Sequence, residues 1–95
     1  MIKHLESNNF DEIIKEGKIL VDFYADWCGP CTMMGEVLEQ INSVDILKVN
    51  TDMYPELAQR FGVMSIPTLI LFENGEIKTQ TVGFKTLDEI NEIVQ

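Results

Sequence analysis

Positive charge is scarce in this sequence: seven Lys and Arg stand against 16 Asp and Glu, for a net charge of −9. Such a balance repels polyphosphate backbones and anionic lipid, so neither nucleic acid nor membrane is expected as a partner. No apolar run approaches the roughly 18–20 residues of a membrane span, and Met1-Ile2-Lys3-His4-Leu5-Glu6 lacks the basic and then apolar stretch of a secretory leader. A cytoplasmic protein is the expectation. Histidine occurs once, at His4, and cysteine twice, at Cys28 and Cys31, so a metal site on Cys-x-x-Cys would need ligands from a second chain. Repeats, linkers and low-complexity tracts are absent, and 95 residues suit a single domain spanning 1–95.

What is present is enough for a core: 45% hydrophobic residues, with five Phe, two Tyr and one Trp. Ile2 to Leu5 reads as a short strand. Asn8 or Asn9 can cap a helix through about Glu16, stopped by Gly17. Ile19 to Ala25 is a continuous apolar run broken only by Asp22, the pattern of a strand covered on both faces. Met34, Val37, Leu38 and Ile41 recur at helical spacing, predicting a helix from Gly29 to Ile41 with Pro30 in its first turn. Ile46 to Asn50 and Thr68 to Phe72 read as strands, with a short helix over Tyr54 to Phe61 between them. Asn74-Gly75 signals a hairpin into Ile77 to Val82, and Leu87, Ile90, Ile93 and Val94 line one face of a last helix. The expected class is α/β, a central mixed sheet of about five strands flanked by four helices.

A disulfide between cysteines three positions apart closes too small a loop to constrain the unfolded chain, so the pair points to redox chemistry or to half of a metal site. A dithiol reductant needs one exposed thiolate and a second thiol to release the mixed disulfide. Cys28 falls at a helix N-terminus, where the dipole favours a thiolate by about 0.3–1 kcal/mol, and Cys31 lies one turn in. Cys28 is therefore the expected nucleophile and Cys31 the resolving thiol. Asp22, on a buried strand, has a carboxyl that desolvation should raise, suiting it to take up the Cys31 proton. Lys48, on a strand expected to neighbour Asp22, is its candidate charge partner, against the plainer reading of a solvated surface lysine.

Val21-Asp22-Phe23-Tyr24-Ala25-Asp26-Trp27-Cys28-Gly29-Pro30-Cys31, Ser65-Ile66-Pro67-Thr68, Phe72-Glu73-Asn74-Gly75-Glu76 and Val82-Gly83 together resemble, in order, the active-site strand, proline loop, hairpin and flanking backbone of the thioredoxin family. The resemblance implies the thioredoxin fold and a protein-disulfide reductase with no cofactor beyond the redox-active Cys28/Cys31 pair. It also implies a substrate groove of Trp27, Gly29, Pro30, Ile66, Pro67, Val82 and Gly83, with Ile66–Pro67 cis. The implied partners are a thioredoxin reductase as electron donor and disulfide-containing target proteins, met by a monomer. A metal-binding module and a thioredoxin-fold adaptor are the alternatives. Thr32 stands where the family often carries a basic residue, and Gly35-Glu36 where it often carries Ala-Pro. A mid-helix glycine costs about 1 kcal/mol against alanine, which points to close packing or a bend.

Overall fold

Ile19, Val21 and Phe23 face one side of the central strand and Leu20 and Asp22 the other, and every one of these side chains is buried. The strand can carry so continuous an apolar run because helices cover both faces. A computed structural model describes residues 1–95. In chain order the elements are β1 (Ile2–His4), α1 (Phe10–Ile14), β2 (Lys18–Tyr24), α2 (Gly29–Leu38), β3 (Asp45–Asn50), α3 (Pro55–Arg60), β4 (Thr68–Glu73), β5 (Glu76–Val82) and α4 (Leu87–Ile93). The strands form one mixed sheet in the order β1-β3-β2-β4-β5, with β1, β3 and β2 parallel and β4 and β5 antiparallel to their neighbours. This is the five-stranded, four-helix layout expected from the sequence.

The sheet separates two apolar clusters. Phe10 and Ile14 of α1, with Leu57 and Phe61 at α3, pack on Val21, Phe23, Val49 and Phe72. Met34 and Leu38 of α2, with Ile90 of α4, pack on Leu20, Ile46, Leu69 and Leu71. On the first face Arg60 pins α3 to α1 through two hydrogen bonds to Asp11, at 3.0 and 2.8 Å, and its guanidinium lies 4.8 Å from the Phe61 ring centre.

Two helices stop short of the expected ends. Asn9 sits at the α1 N-cap, but its side chain accepts from Ser7 Oγ at 2.9 Å instead of from the helix. At the other end Gly17, at φ +77°, is claimed by the hairpin: its N–H donates to Asn74 Oδ1 and its carbonyl accepts from Asn74 N–H, which leaves no partner for another turn. The end of α2 tightens, with Gln40 donating to Val37 and Ile41 to Leu38, so Ile41 joins the core from just beyond the helix. The hairpin itself has positive φ at both Asn74 and Gly75, the geometry of a type I′ turn.

Candidate active site

At the carboxyl end of β2 the chain leaves the sheet through buried Ala25 and exposed Asp26 and Trp27, then enters α2. Cys28 is the N-cap of that helix, and its Sγ accepts a hydrogen bond from Cys31 N–H at 3.2 Å. Pro30 occupies the first turn, where a missing N–H costs nothing. Cys28 and Cys31 are joined by a disulfide, their Cα atoms 5.2 Å apart, and both are nearly buried, at 6% and 2% exposure. In the reduced protein the same helix N–H groups would favour a thiolate at Cys28.

One wall of an apolar groove of about 570 Å³ is formed by Trp27, Cys28, Gly29 and Pro30, and the other by Val63, Met64, Ser65 and Ile66. Its floor includes Thr51 and Ala58 from the β3–α3 side. Trp27 is 73% exposed yet tethered, its indole N–H donating to Asp52 Oδ2 at 2.9 Å. Asp52 is set in turn by its own N–H, which donates to Asn50 Oδ1.

The Ile66 carbonyl lies 3.9 Å from Cys28 Sγ, and the Ile66–Pro67 bond is cis. Ile66 faces the groove, Pro67 is buried behind it, and Thr68 Oγ1 donates to Ser65 O at 2.6 Å to brace the loop. Val82 and Gly83 do not line this groove. They lie beyond the proline loop, with Val82 paired to Thr68 and Gly83 N–H donating to Pro67 O. Thr51, Ala58, Val63 and Met64 escaped the sequence reading. The one available signal was Met64, an apolar residue in a loop that proves 94% exposed.

Behind the disulfide, Asp22 is fully buried and neither carboxylate oxygen has a hydrogen-bond partner. Register places Lys48 of β3 directly beside it, and the Lys48 ammonium approaches to 3.6 Å, an ion pair longer than a hydrogen bond. Burial pushes the Asp22 carboxyl up to about 6, with Lys48 pulling it part of the way back. Lys48 is mostly covered, not solvated. It borders a cleft of about 410 Å³ that also reaches Cys31, Tyr24 and His4. No three His, Cys, Asp or Glu side chains gather where a metal could bind, and no helix is long and apolar enough to cross a membrane.

Known proteins match this chain over nearly its whole length. The family model described as thioredoxin matches residues 1–95. A thioredoxin of Chlamydia caviae is 44% identical, covering 99% of this chain and 96% of its own length. One of Staphylococcus haemolyticus is 45% identical, covering 98% and 94%. Among solved structures, a mutant thioredoxin from Halobacterium salinarum superposes with a TM-score of 0.90 at 32% identity, covering 98% of this chain and 87% of that one. With a disulfide at the head of α2 and relatives matching from end to end, the chain belongs to the thioredoxin family and is a dithiol–disulfide oxidoreductase.

Proposed function

We propose that the protein reduces disulfides of target proteins with Cys28 as nucleophile, Cys31 as resolving thiol and Asp22 as proton acceptor. In the reduced protein the Cys28 thiolate attacks one sulfur of a target disulfide. A Cys28–target disulfide forms and the other target sulfur leaves as a thiolate. Cys31 then gives its proton to Asp22, directly or through water, and the resulting thiolate attacks Cys28 Sγ. The Cys28–Cys31 disulfide forms, and the second target thiolate departs and is protonated. Two electrons have passed from the dithiol to the target. A thioredoxin reductase restores the dithiol, and no further cofactor takes part.

The observation that carries this reading is the seat of Cys28, at the mouth of α2, against an open apolar groove. Trp27, Gly29, Pro30 and Ile66 supply the contact surface, while Pro67, Val82 and Gly83 support the loop that presents Ile66. Outside the 3.9 Å approach to Cys28 Sγ, the Ile66 backbone groups make no hydrogen bond, so they are free to pair with an extended target segment. Lys48 tunes Asp22. The single domain acts as a monomer in the cytoplasm, where thiols stay reduced.

The test is trapping. With a disulfide-containing target protein, Cys31→Ser should accumulate a mixed disulfide through Cys28, seen as an adduct by intact-mass spectrometry, and Cys28→Ser should not. Equal trapping by both variants would overturn the assignment.

A further inference from the structure

Gly35 lies on α2 one turn beyond Cys31, so the two positions share a helix face. That face looks onto the sheet: Met34 and Leu38 of the same helix pack on Leu20, which is two residues from Asp22 on β2 and points the same way. The space that a side chain at Gly35 would fill is bordered closely by one group, the Lys48 ammonium. A Cβ built there would stand 3.2 Å from Lys48 Nζ, tighter than ordinary van der Waals contact. The same ammonium is 3.6 Å from Asp22 Oδ2 and 4.6 Å from the centre of the Tyr24 ring. Tyr24 is itself steadied by His4, with 3.2 Å between its hydroxyl and the imidazole Nδ1. The ammonium is thus enclosed by a carboxylate, an aromatic face and a bare stretch of helix.

We propose that Gly35 is a positioning residue for the reaction: the side chain it lacks makes the slot in which Lys48 is held against Asp22. This rests on the reading of Asp22 as the proton acceptor for Cys31. It also gives a reason for a glycine in mid-helix, where alanine would serve the helix better. Titratable groups from each neighbouring element line the cleft beside this pair. Tyr24 and Asp26 come from β2 and the loop after it, Lys48 from β3, and His4 from β1; α2 brings Cys31, Glu36 and Glu39 to the same cleft. Of these, Lys48 alone carries a positive charge into contact with the carboxylate. If that slot holds the ammonium in place, a methyl group at position 35 displaces it by a few tenths of an ångström into the open cleft it borders, away from Asp22, and weakens the attraction that keeps the carboxyl ionised. With Coulomb energy falling as the inverse of distance in a medium of effective dielectric near 20, the Asp22 titration should move up by about 0.3 pH unit, about twofold in proton affinity.

The experiment is a carbon-13 NMR titration of the Asp22 carboxyl in the oxidised protein and in Gly35→Ala, each with Lys48 intact and again with Lys48→Met, with folding checked by circular dichroism. Gly35→Ser places the same Cβ and replaces the alanine variant if that one misfolds. The expected result is an upward shift from Gly35→Ala when Lys48 is present and none when it is absent, because the substitution acts only through Lys48. No shift, a downward shift, or equal shifts in both backgrounds would overturn the proposal. A merely structural role for Gly35 would change the melting temperature and leave the titration alone. The proton-transfer role of Asp22 is read separately, from the rate at which Asp22→Asn resolves a preformed mixed disulfide. An unchanged rate there would remove that role without touching the titration result.

Discussion

Replacing Asp22 by Asn should stabilise the protein at neutral pH and do nothing at low pH. The buried carboxyl titrates near 6 in the folded protein against 3.8 in the unfolded chain, so the folded state holds its proton more tightly. Where the folded state binds more protons, stability falls as pH rises. The loss begins above about pH 4 and is complete somewhat above pH 6. Two pH units at about 1.4 kcal/mol each come to about 3 kcal/mol, a large part of the stability of a domain this size. Asparagine has nearly the same shape and cannot ionise. Neither Asp22 oxygen has a hydrogen bond to lose, and Lys48 borders an open cleft from which water can reach its ammonium when its partner is gone. Urea unfolding of the two oxidised proteins at intervals from pH 4 to 8 should give free energies that coincide at the acid end. They should diverge by about 3 kcal/mol by pH 7 and run parallel above it. A difference that does not vary with pH would refute the reasoning, since it would mean that Asp22 is ionised in the folded protein throughout the range.

Two further substitutions probe the groove and the opposite face. Met64→Glu places a charge where an apolar target surface must sit, and kcat/KM for a protein disulfide should fall about tenfold, equivalent to about 1.4 kcal/mol, with thermal stability unchanged; steady-state kinetics with an insulin-type substrate would check it. Arg60→Met removes both hydrogen bonds to Asp11 and the guanidinium over Phe61, and because this pair is exposed the expected loss by chemical denaturation is only about 0.5–1 kcal/mol.

The sheet was legible because the run Ile19–Ala25 advertises itself: seven residues with one charge leave little choice but a doubly covered strand. The Cys28/Cys31 pair stood out by its spacing, with Pro30 where a helix must begin, but that spacing alone read equally as half of a metal site. What the chain order hides is what depends on register. Lys48 meets Asp22 only because β2 and β3 align those residues, so in sequence it read as readily as a surface lysine. The groove floor escaped for a similar reason, because Thr51, Ala58 and Met64 come from turns and a short helix with no periodic signature. Gly35 could be flagged as odd from propensity, but its neighbour lies across a helix–sheet interface that no local pattern encodes. The shortening of α1 belongs here too, as Gly17 is taken by Asn74 from far along the chain.

The groove has an origin deeper than its lining. From the adjacent carboxyl ends of β2 and β3 the chain turns to opposite sides of the sheet, into α2 on one face and α3 on the other. A crevice must open where two such connections part, as in other open α/β sheets. Its presence follows from the winding of the chain, and its chemistry from the few loop residues that edge it. On the proposed function, exchanging Thr51, Ala58 and Met64 should change which targets fit while the sheet and the disulfide stay in place.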